Sequence, residues 1–325
     1  MIRISRRQAL AFGSTALLLP SALRAQAAWP NGPVTFVVGY AAGGGADINA
    51  RELANLESPL IGAQIVVDNK GGATGSIGVR SVAAAKPDGY SLFYAVSTNV
   101  TINPHIQKGM VDTMTTLAPI CQTTAYQYVL AVNPKVPANT AAELVALAKK
   151  DPEKYTFSSS GVGGNNHLSG ALFAEAAGIQ LTHVPYKGTG PALADVISGV
   201  ITMNFSSLPP AVGQIKAGNL KALAVTGDKR IKSLPDVPTL KEQGIDVVVN
   251  GWHGLFAPAK TPDAILDKVE KDAKQAMKDP KWETALAKDG LEQPPDLTRA
   301  QFAKFVQDEH AFWGKKLKVL KIEME

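Results

Sequence analysis

Short β-branched strands alternate with helices along this chain, and the alternation occurs in two successive rounds. The first round predicts strands at 34–39, 64–68 and 91–95, with helices at 48–58 and 76–85. The second round predicts strands at 128–132, 155–158, 182–184, 201–205, 222–226 and 246–249, with helices at 141–150, 167–177 and 190–199. Strands that alternate with helices of this length indicate βαβ units and a parallel sheet. The sequence therefore predicts two α/β lobes.

A helical tail follows the second round, from 262 to 320, with breaks at Pro280 and at Pro294-Pro295. If this tail packs on the first lobe, the chain crosses between the lobes near 121–128 and again near 250–256. Two crossover segments imply a cleft between the lobes and a hinge. We expect 28–127 with 252–325 to form lobe 1 and 128–251 to form lobe 2, each lobe being a mixed sheet flanked by helices.

Residues 1–27 have the pattern of a cleavable secretory signal. A basic start that includes Arg6-Arg7 precedes the apolar run 9–19, and Ala25-Gln26-Ala27 provides an Ala-x-Ala cleavage site. An amphipathic N-terminal helix is the alternative, but the run at 9–19 has no polar face. The arginine pair is compatible with twin-arginine export and also with an ordinary signal. The sequence therefore predicts a periplasmic protein.

The positive charge of the chain belongs to this leader. Of the 33 Lys and Arg residues, four lie before residue 28, which leaves 29 against 28 Asp and Glu and a formal net charge of +1. A nucleic-acid partner thereby loses its support from composition. After residue 27, no apolar stretch reaches the ~18 residues of a membrane-spanning helix. We therefore expect the mature chain neither to bind nucleic acid nor to span a membrane.

Two glycine-rich loops run from a strand into a helix, one in each predicted lobe. The first covers 39–47, where Asp47 is predicted to cap the following helix, and the second covers 158–167. Glycines let backbone N–H groups converge, and the helix N-terminus adds partial positive charge, so each loop can hold an anion. The alternative is that the glycines serve only tight turns. Two anion sites in one cleft suit a molecule with two carboxylates.

Signals for catalysis are few. The sequence contains no Gly-x-Ser-x-Gly, His-Glu-x-x-His or Cys-x-x-Cys motif, and neither glycine-rich loop matches a nucleotide-binding pattern. No cluster of metal ligands is visible, and the lone Cys121 has the surroundings of a small core residue. An enzyme that uses Asp47 or His167 in the cleft is the alternative. We expect a protein that is not an enzyme and that carries neither cofactor nor metal.

Ordered sequence blocks along almost the whole mature chain resemble one family. They include Ala42-Gly43-Gly44-Gly45-Ala46-Asp47 with Ala50-Arg51, Val66-Val67-Asp68-Asn69-Lys70-Gly71-Gly72-Ala73, Ala85-Lys86-Pro87-Asp88-Gly89-Tyr90, Ser160-Gly161-x-Gly163 with His167-Leu168, His183-Val184-Pro185-Tyr186-Lys187-Gly188, Leu234-Pro235-Asp236-Val237-Pro238-Thr239 and Trp252-x-Gly254. The chain resembles the Bug-type periplasmic solute-binding proteins, which are the receptors associated with tripartite tricarboxylate transporters.

The resemblance implies a two-lobe periplasmic-binding-protein (Venus flytrap) fold that closes on a small organic anion. Ligands of the family are mostly carboxylates, held largely through backbone amides of the two loops. Carried over by position, the first lobe offers Tyr40, Ala42, Gly43, Gly44, Gly45, Ala46, Asp47, Ser97 and Asn99. The second lobe offers Ser160, Gly163, Gly164, Asn165 and His167.

The chain departs from the family pattern at three places. Ala41-Ala42 stands where the family usually has Pro-Pro, and Gly164 stands where it often has Ser. Ser206 replaces a common Asp that could pair with an amino group on a ligand. We add Ser206 to the candidate ligand contacts and expect a ligand without an ammonium group. A dicarboxylate is favoured, aliphatic or aromatic, with Tyr40 as a candidate stacking surface.

The resemblance implies a transport receptor that delivers its carboxylate to a membrane permease. The alternative is a ligand-presenting component of a signalling system, since the pocket would be the same. We expect the protein to act as a monomer.

Overall fold

The computed structural model describes residues 29–152, 154–186, 189–288 and 290–321, so the predicted secretory leader lies outside the described residues. The strands are β1 (Val34–Val38), β2 (Ile65–Asn69), β3 (Ser91–Val96), β4 (Leu117–Val132), β5 (Thr156–Ser159), β6 (Thr182–Pro185), β7 (Met203–Ser207), β8 (Lys221–Val225) and β9 (Asn250–Pro258). The helices are α1 (Gly45–Ile61), α2 (Ser76–Ala83), α3 (Asn103–Ile106), α4 (Thr113–Thr116), α5 (Ala141–Lys150), α6 (Asn165–Ala177), α7 (Thr189–Ser198), α8 (Leu208–Lys216), α9 (Asp263–Ala276), α10 (Pro280–Lys288) and α11 (Arg299–Leu320).

The strands form two mixed halves that share β4. Strand order is β2-β1-β3-β9-β4-β7-β5-β6, and β8 pairs with β4 off this path. In the first half β1 is parallel to β2 and β3, while β9 is antiparallel to β3 and β4. In the second half β5 is parallel to β6 and β7, and β4 is antiparallel to β7 and β8. This is the predicted α/β fold, with the carboxyl ends of β1 and β5 leading into the two glycine-rich loops.

Strand β4 carries the chain from one lobe to the other without interruption. Its segment 117–127 pairs with β9, whereas 128–132 pairs with β7 and β8. The sequence predicted a strand only from 128, because Pro119 and the polar run Gln122-Thr123-Thr124 interrupt the apolar pattern. Register shifts between Pro119 and Cys121 and between Gln122 and Thr124 accommodate these residues. Both predicted crossover segments are therefore strands, paired with each other.

Two local predictions are wrong. The segment 246–249 is not a strand, although Ile245, Val247 and Val249 are buried in alternation. It runs extended beside β8, where the Val249 N–H donates to Thr226 at 2.9 Å, without a regular ladder. Asp47 does not cap α1, because the helix begins at Gly45 with Gly44 as N-cap.

Each lobe has its own core, and α11 takes part in both. In lobe 1, α1, α9 and α10 pack on the sheet through Leu53, Val269 and Trp282. The start of α11 packs on the opposite face of this sheet, where Phe302 and Val306 join the core that contains Val79 of α2. The end of α11 contributes Trp313 and Leu317 to the core that contains Phe173 of α6 and Phe205 of β7. None of the helices within the described ranges is long and apolar enough to cross a bilayer.

Candidate functional site

A cavity of about 600 Å³ lies between the two lobes. The first lobe contributes a wall that includes Tyr40, Gly44, Gly45 and Ala46. The second lobe contributes a wall that includes Ser160, Gly164, Asn165 and Asn166. A third wall, called here the hinge wall, consists of Tyr126 and Tyr128 of β4 and His253 of β9. The cleft predicted from the topology therefore exists, and it is lined by both glycine-rich loops.

The two loops have the same backbone conformation at the two glycines that precede each helix. Gly43 and Gly163 have positive φ angles of 81° and 77°, a region that favours glycine. Each is followed by a glycine N-cap in the extended region, Gly44 or Gly164. Helices α1 and α6 then start with their first-turn N–H groups free of helical acceptors, which gives each end partial positive charge. The cleft thus places two equivalent amide-rich helix starts on opposite walls.

A side chain from the first helical turn ties each loop down. The Gly43 N–H donates to Oδ2 of Asp47 at 2.8 Å, and the Gly163 N–H donates to Nδ1 of His167 at 3.1 Å. Burial pushes the pKa of Asp47 upward, but hydrogen bonds from Arg51 and Gly43 outweigh it, so the pKa lies below its ordinary value. Neither Asp47 nor His167 is part of the cavity wall. Both side chains hold a loop in shape.

His167 is an uncharged anchor. Its ring stacks on His183 with centroids 3.8 Å apart. Burial, and next the neighbouring His183, lower the pKa of His167 to about 4. A neutral imidazole can accept the Gly163 N–H at Nδ1, whereas an imidazolium cannot. The loop of lobe 2 is therefore stabilised by a neutral side chain where the loop of lobe 1 uses a carboxylate.

Asn99 supports the wall of lobe 1 from behind. Its Nδ2 donates to the Tyr40 hydroxyl at 2.8 Å and to the Thr74 carbonyl at 2.9 Å, and its Oδ1 accepts from the Val96 N–H at 3.1 Å. The side chain is fully buried and does not line the cavity. Asn99 therefore fixes the position of the Tyr40 ring, which does line it.

A hydrogen bond joins the two lobes across the cleft. Nδ2 of Asn165, at the start of α6, donates to Oγ of Ser97, at the end of β3, over 3.2 Å. Both side chains are buried. At another place in the cleft, Leu208 of lobe 2 lies so close to Gly290 that a Cβ there would come within 2.7 Å of it. These contacts describe a closed arrangement of the lobes.

The wall near α8 is apolar. Leu208 starts α8 and is followed by Pro209 and Pro210, and all three line the cavity. Proline has no N–H, so this helix start offers an anion fewer donors than α1 or α6. Ser207 lines the cavity here, whereas the predicted Ser206 is fully buried and its hydroxyl donates to the carbonyl of Ser207.

The structure brings many of the predicted site residues together at the cavity. Those that line it are Tyr40, Gly44, Gly45, Ala46, Ser160, Gly164 and Asn165. Ala42, Gly43, Asp47, Ser97, Asn99, Gly163, His167 and Ser206 lie outside its lining. Sequence reasoning missed the hinge wall. The signal was present in the topology, because Tyr126, Tyr128 and His253 all lie in the two predicted crossover segments.

No Lys, Arg, Asp or Glu occurs among the described residues that line the cavity. Polar contacts on these walls therefore come from backbone N–H groups, hydroxyls, side-chain amides and one imidazole. Helix dipoles of this kind favour an anion by about 0.3–1 kcal/mol when exposed and up to about 2 kcal/mol when partly buried. Within the described part of the chain, no group of three or more potential metal-ligating side chains is found.

The two lobes, the shared β4 and the interlobe cleft define a periplasmic-binding-protein fold. The chain belongs to the tripartite tricarboxylate transporter receptor family, whose model matches residues 49–322. A relative from Agrobacterium vitis, a UPF0065 protein of the TAR-I ttuE-ttuC' intergenic region, is 39% identical over 82% of this chain and 77% of its own length.

Solved structures agree with this membership. The periplasmic binding protein BugD is 34% identical, with a TM-score of 0.78 over 91% of this chain and 100% of that one. The R. palustris protein Rpa4515, solved with adipate, is 29% identical, with a TM-score of 0.80 over 91% of this chain and 99% of that one. The resemblance to Bug-type receptors is thus confirmed.

Proposed function

We propose that this protein is an extracytoplasmic receptor that captures a small organic carboxylate in the interlobe cleft and delivers it to a tripartite tricarboxylate-type permease. The observation that carries the proposal is the pair of equivalent amide-rich loops on opposite walls. A carboxylate oxygen accepts hydrogen bonds from convergent backbone N–H groups without needing a cationic side chain. A dicarboxylate is the favoured ligand, and the adipate bound by the R. palustris neighbour supports this class.

The proposal includes the route and place of action. The leader at 1–27 directs the chain across the cytoplasmic membrane, and the mature receptor acts in the periplasm as a monomer. The proposed ligand contacts are those predicted site residues that line the cavity. Asp47 and His167, which hold the two loops in shape, act on the ligand only by positioning these contacts. Closure of the lobes around the ligand presents a defined surface to the permease. We place the lobe boundaries at 127/128 and 251/252. The change of partner along β4, from β9 to β7 and β8 near residue 128, supports the first boundary, and α11 contributes to the cores of both lobes.

The experiment is a thermal-shift and calorimetric screen of the mature chain against mono- and dicarboxylates, amino acids and neutral compounds. A ligand at one hundred times its dissociation constant stabilises the folded state by about 2.7 kcal/mol, which is a clear rise in melting temperature. We expect stabilisation by carboxylates that lack an ammonium group. No shift with any carboxylate would contradict the proposal.

Gly45→Val tests the loop itself. A Cβ at Gly45 meets no atom within 4 Å and the residue lines the cavity, so the valine crowds the site rather than the fold. We expect the affinity for the best carboxylate to fall at least tenfold, which is about 1.4 kcal/mol. The matched control is Gly213→Val on α8, which is exposed, also has open space around its Cβ and lies outside the lining. If Gly45→Val binds the carboxylate as tightly as Gly213→Val does, the loop is not the anion site.

A further inference from the structure

His253 occupies the hinge wall, between the two loops that the proposed function uses. It lies on β9 opposite Val96 of β3 and lines the cavity, although only 5% of its surface is exposed. It is the one imidazole among the described residues of the cavity wall. The two loops do not account for the role of this imidazole. Because β9 is one of the two strands that cross between the lobes, we connect His253 with closure of the lobes.

Hydrogen bonds with Thr124 define which ring nitrogen carries the proton. The His253 backbone N–H donates to the Thr124 hydroxyl oxygen at 3.1 Å, and the same hydroxyl lies 2.9 Å from Nδ1 of the His253 ring. Among the described residues Nδ1 is the acceptor within reach of the Thr124 hydroxyl proton, so the tautomer in which Nδ1 accepts leaves this hydroxyl with both its donor and its acceptor paired. The ring proton then resides on Nε2. Nε2–H is the donor that the ring has left to offer the cavity.

The surroundings keep this imidazole neutral. The ring lies between Tyr94 of β3, at 5.5 Å between centroids, and Tyr126 of β4, at 5.3 Å. Burial lowers the pKa of His253 to about 3. Both facing phenols are uncharged as well, because burial raises the pKa of Tyr94 and of Tyr126. The hinge wall therefore presents a fixed, uncharged N–H donor in aromatic surroundings.

We propose that His253 is a ligand-binding residue that recognises the second carboxylate of the bound molecule by donating a hydrogen bond to it from Nε2–H. This inference rests on the proposed function and refines it: the two loops together hold the first carboxylate, rather than one carboxylate each. A hydrogen bond to an ionised acceptor is stronger than one between neutral groups, particularly where water is excluded. The site thereby distinguishes a dicarboxylate from a monocarboxylate of the same length. Thr124 is a positioning residue that holds the tautomer.

The test compares pairs of ligands on three proteins. Calorimetry measures the binding of dicarboxylates from succinate to suberate, and of the monocarboxylates with the same chain lengths, to wild type, His253→Phe and His253→Gln. Phenylalanine keeps a ring without the donor, and glutamine restores a donor near the place of Nε2. We expect His253→Phe to lose about tenfold or more in affinity for the best dicarboxylate but little for its monocarboxylate. His253→Gln should recover most of the preference.

The outcomes separate this inference from the proposed function. If wild type binds no carboxylate in the broader screen described above, the proposed function fails and the inference fails with it. If wild type binds carboxylates without preferring a dicarboxylate, the inference alone is wrong. If wild type prefers a dicarboxylate and His253→Phe retains that preference, or weakens both ligands equally, the inference alone is wrong. A neutral donor also predicts that the preference stays constant between about pH 6 and about pH 8. A preference that grows on acidification, and that His253→Phe abolishes, would overturn the neutral donor.

Discussion

Asn99 illustrates how a residue behind the wall of the proposed binding site can matter without lining the cavity. Its side chain satisfies three partners at once, on Tyr40, Thr74 and Val96. The neighbouring Gly75 has a φ of 90°, and a Cβ there would come within 2.3 Å of the Asn99 Nδ2. The local backbone is therefore shaped around this amide, which explains why the loop before α2 contains glycine at this position.

Asn99→Ala should destabilise the protein by about 1–3 kcal/mol, because it leaves the buried partners of the amide unpaired. Urea denaturation of the ligand-free protein measures this loss. Tyr40→Phe is the matched comparison, since it removes only the hydroxyl from a residue that lines the cavity. We expect it to reduce stability less than Asn99→Ala. Unchanged stability in Asn99→Ala would show that these three hydrogen bonds contribute nothing to the folded state.

Helix α11 is the element on which both lobes converge, and Glu309 lies in its middle. The Trp252 Nε1–H donates to Oε2 of Glu309 at 2.6 Å. Burial raises the pKa of Glu309 to about 7 from an ordinary value near 4.5, although hydrogen bonds from Trp252, Trp313 and Thr101 oppose the rise. A raised pKa in the folded state means that this group favours folding at low pH and that its contribution is lost as the pH rises to about 7.

Glu309→Gln should remove this loss of stability at higher pH, because glutamine does not titrate. Its side-chain oxygen still accepts the Trp252 N–H. Relative to wild type, the variant should gain stability as the pH is raised through the interval from 4.5 to about 7, by up to about 1.4 kcal/mol per pH unit. Chemical denaturation at both ends of this interval measures the change. Contacts that the substitution alters independently of pH cancel in the difference between the two conditions. A difference that does not vary with pH would contradict the prediction.

Many of the strands and helices of this fold could be predicted from the sequence, because their local sequence signals agree with the structure that they adopt. Helix α5 has its predicted bounds, and the side chain of Thr140, directly before its first residue, accepts the Glu143 N–H as an N-cap. Prediction failed where pairing depends on distant strands. The run at 246–249 has the composition of a strand but lacks a ladder, and the first part of β4 has a ladder although Pro119 and the polar residues 122–124 interrupt its apolar pattern.

At the scale of the whole molecule, the site is where the two loops, the paired strands β4 and β9 and the start of α8 meet, although they are far apart in the sequence. The two loops could be predicted because each combines glycines with a helix start in one short segment. The hinge wall was missed, because Tyr126 and His253 become neighbours only when β4 pairs with β9. Aromatic residues on a strand usually belong to a core, so their composition gives no warning of a cavity. A prediction that the two crossover segments pair with each other would have been enough to identify the residues of the hinge wall.

Closure of the whole molecule depends on contacts between the lobes as well as on the ligand. The bond from Asn165 to Ser97 exists only when the lobes are together, so it favours the closed form even without ligand. A ligand that needs the closed form binds more weakly when that form is less populated. Ser97→Ala should therefore raise the dissociation constant of the best carboxylate about 2- to 10-fold, as expected from the net value of about 0.5–1.5 kcal/mol for a neutral hydrogen bond.

Calorimetry measures the affinity, and small-angle X-ray scattering measures the radius of gyration with and without ligand. The ligand-free Ser97→Ala protein should be at least as expanded as wild type, and saturating ligand should compact both to the same size. Ser169→Ala is the matched control, because this buried serine donates to the carbonyl of the same Asn165 within lobe 2. It should lower the free energy of unfolding without changing the radius of the ligand-free protein. If both variants bind as wild type does, closure is driven by the ligand alone.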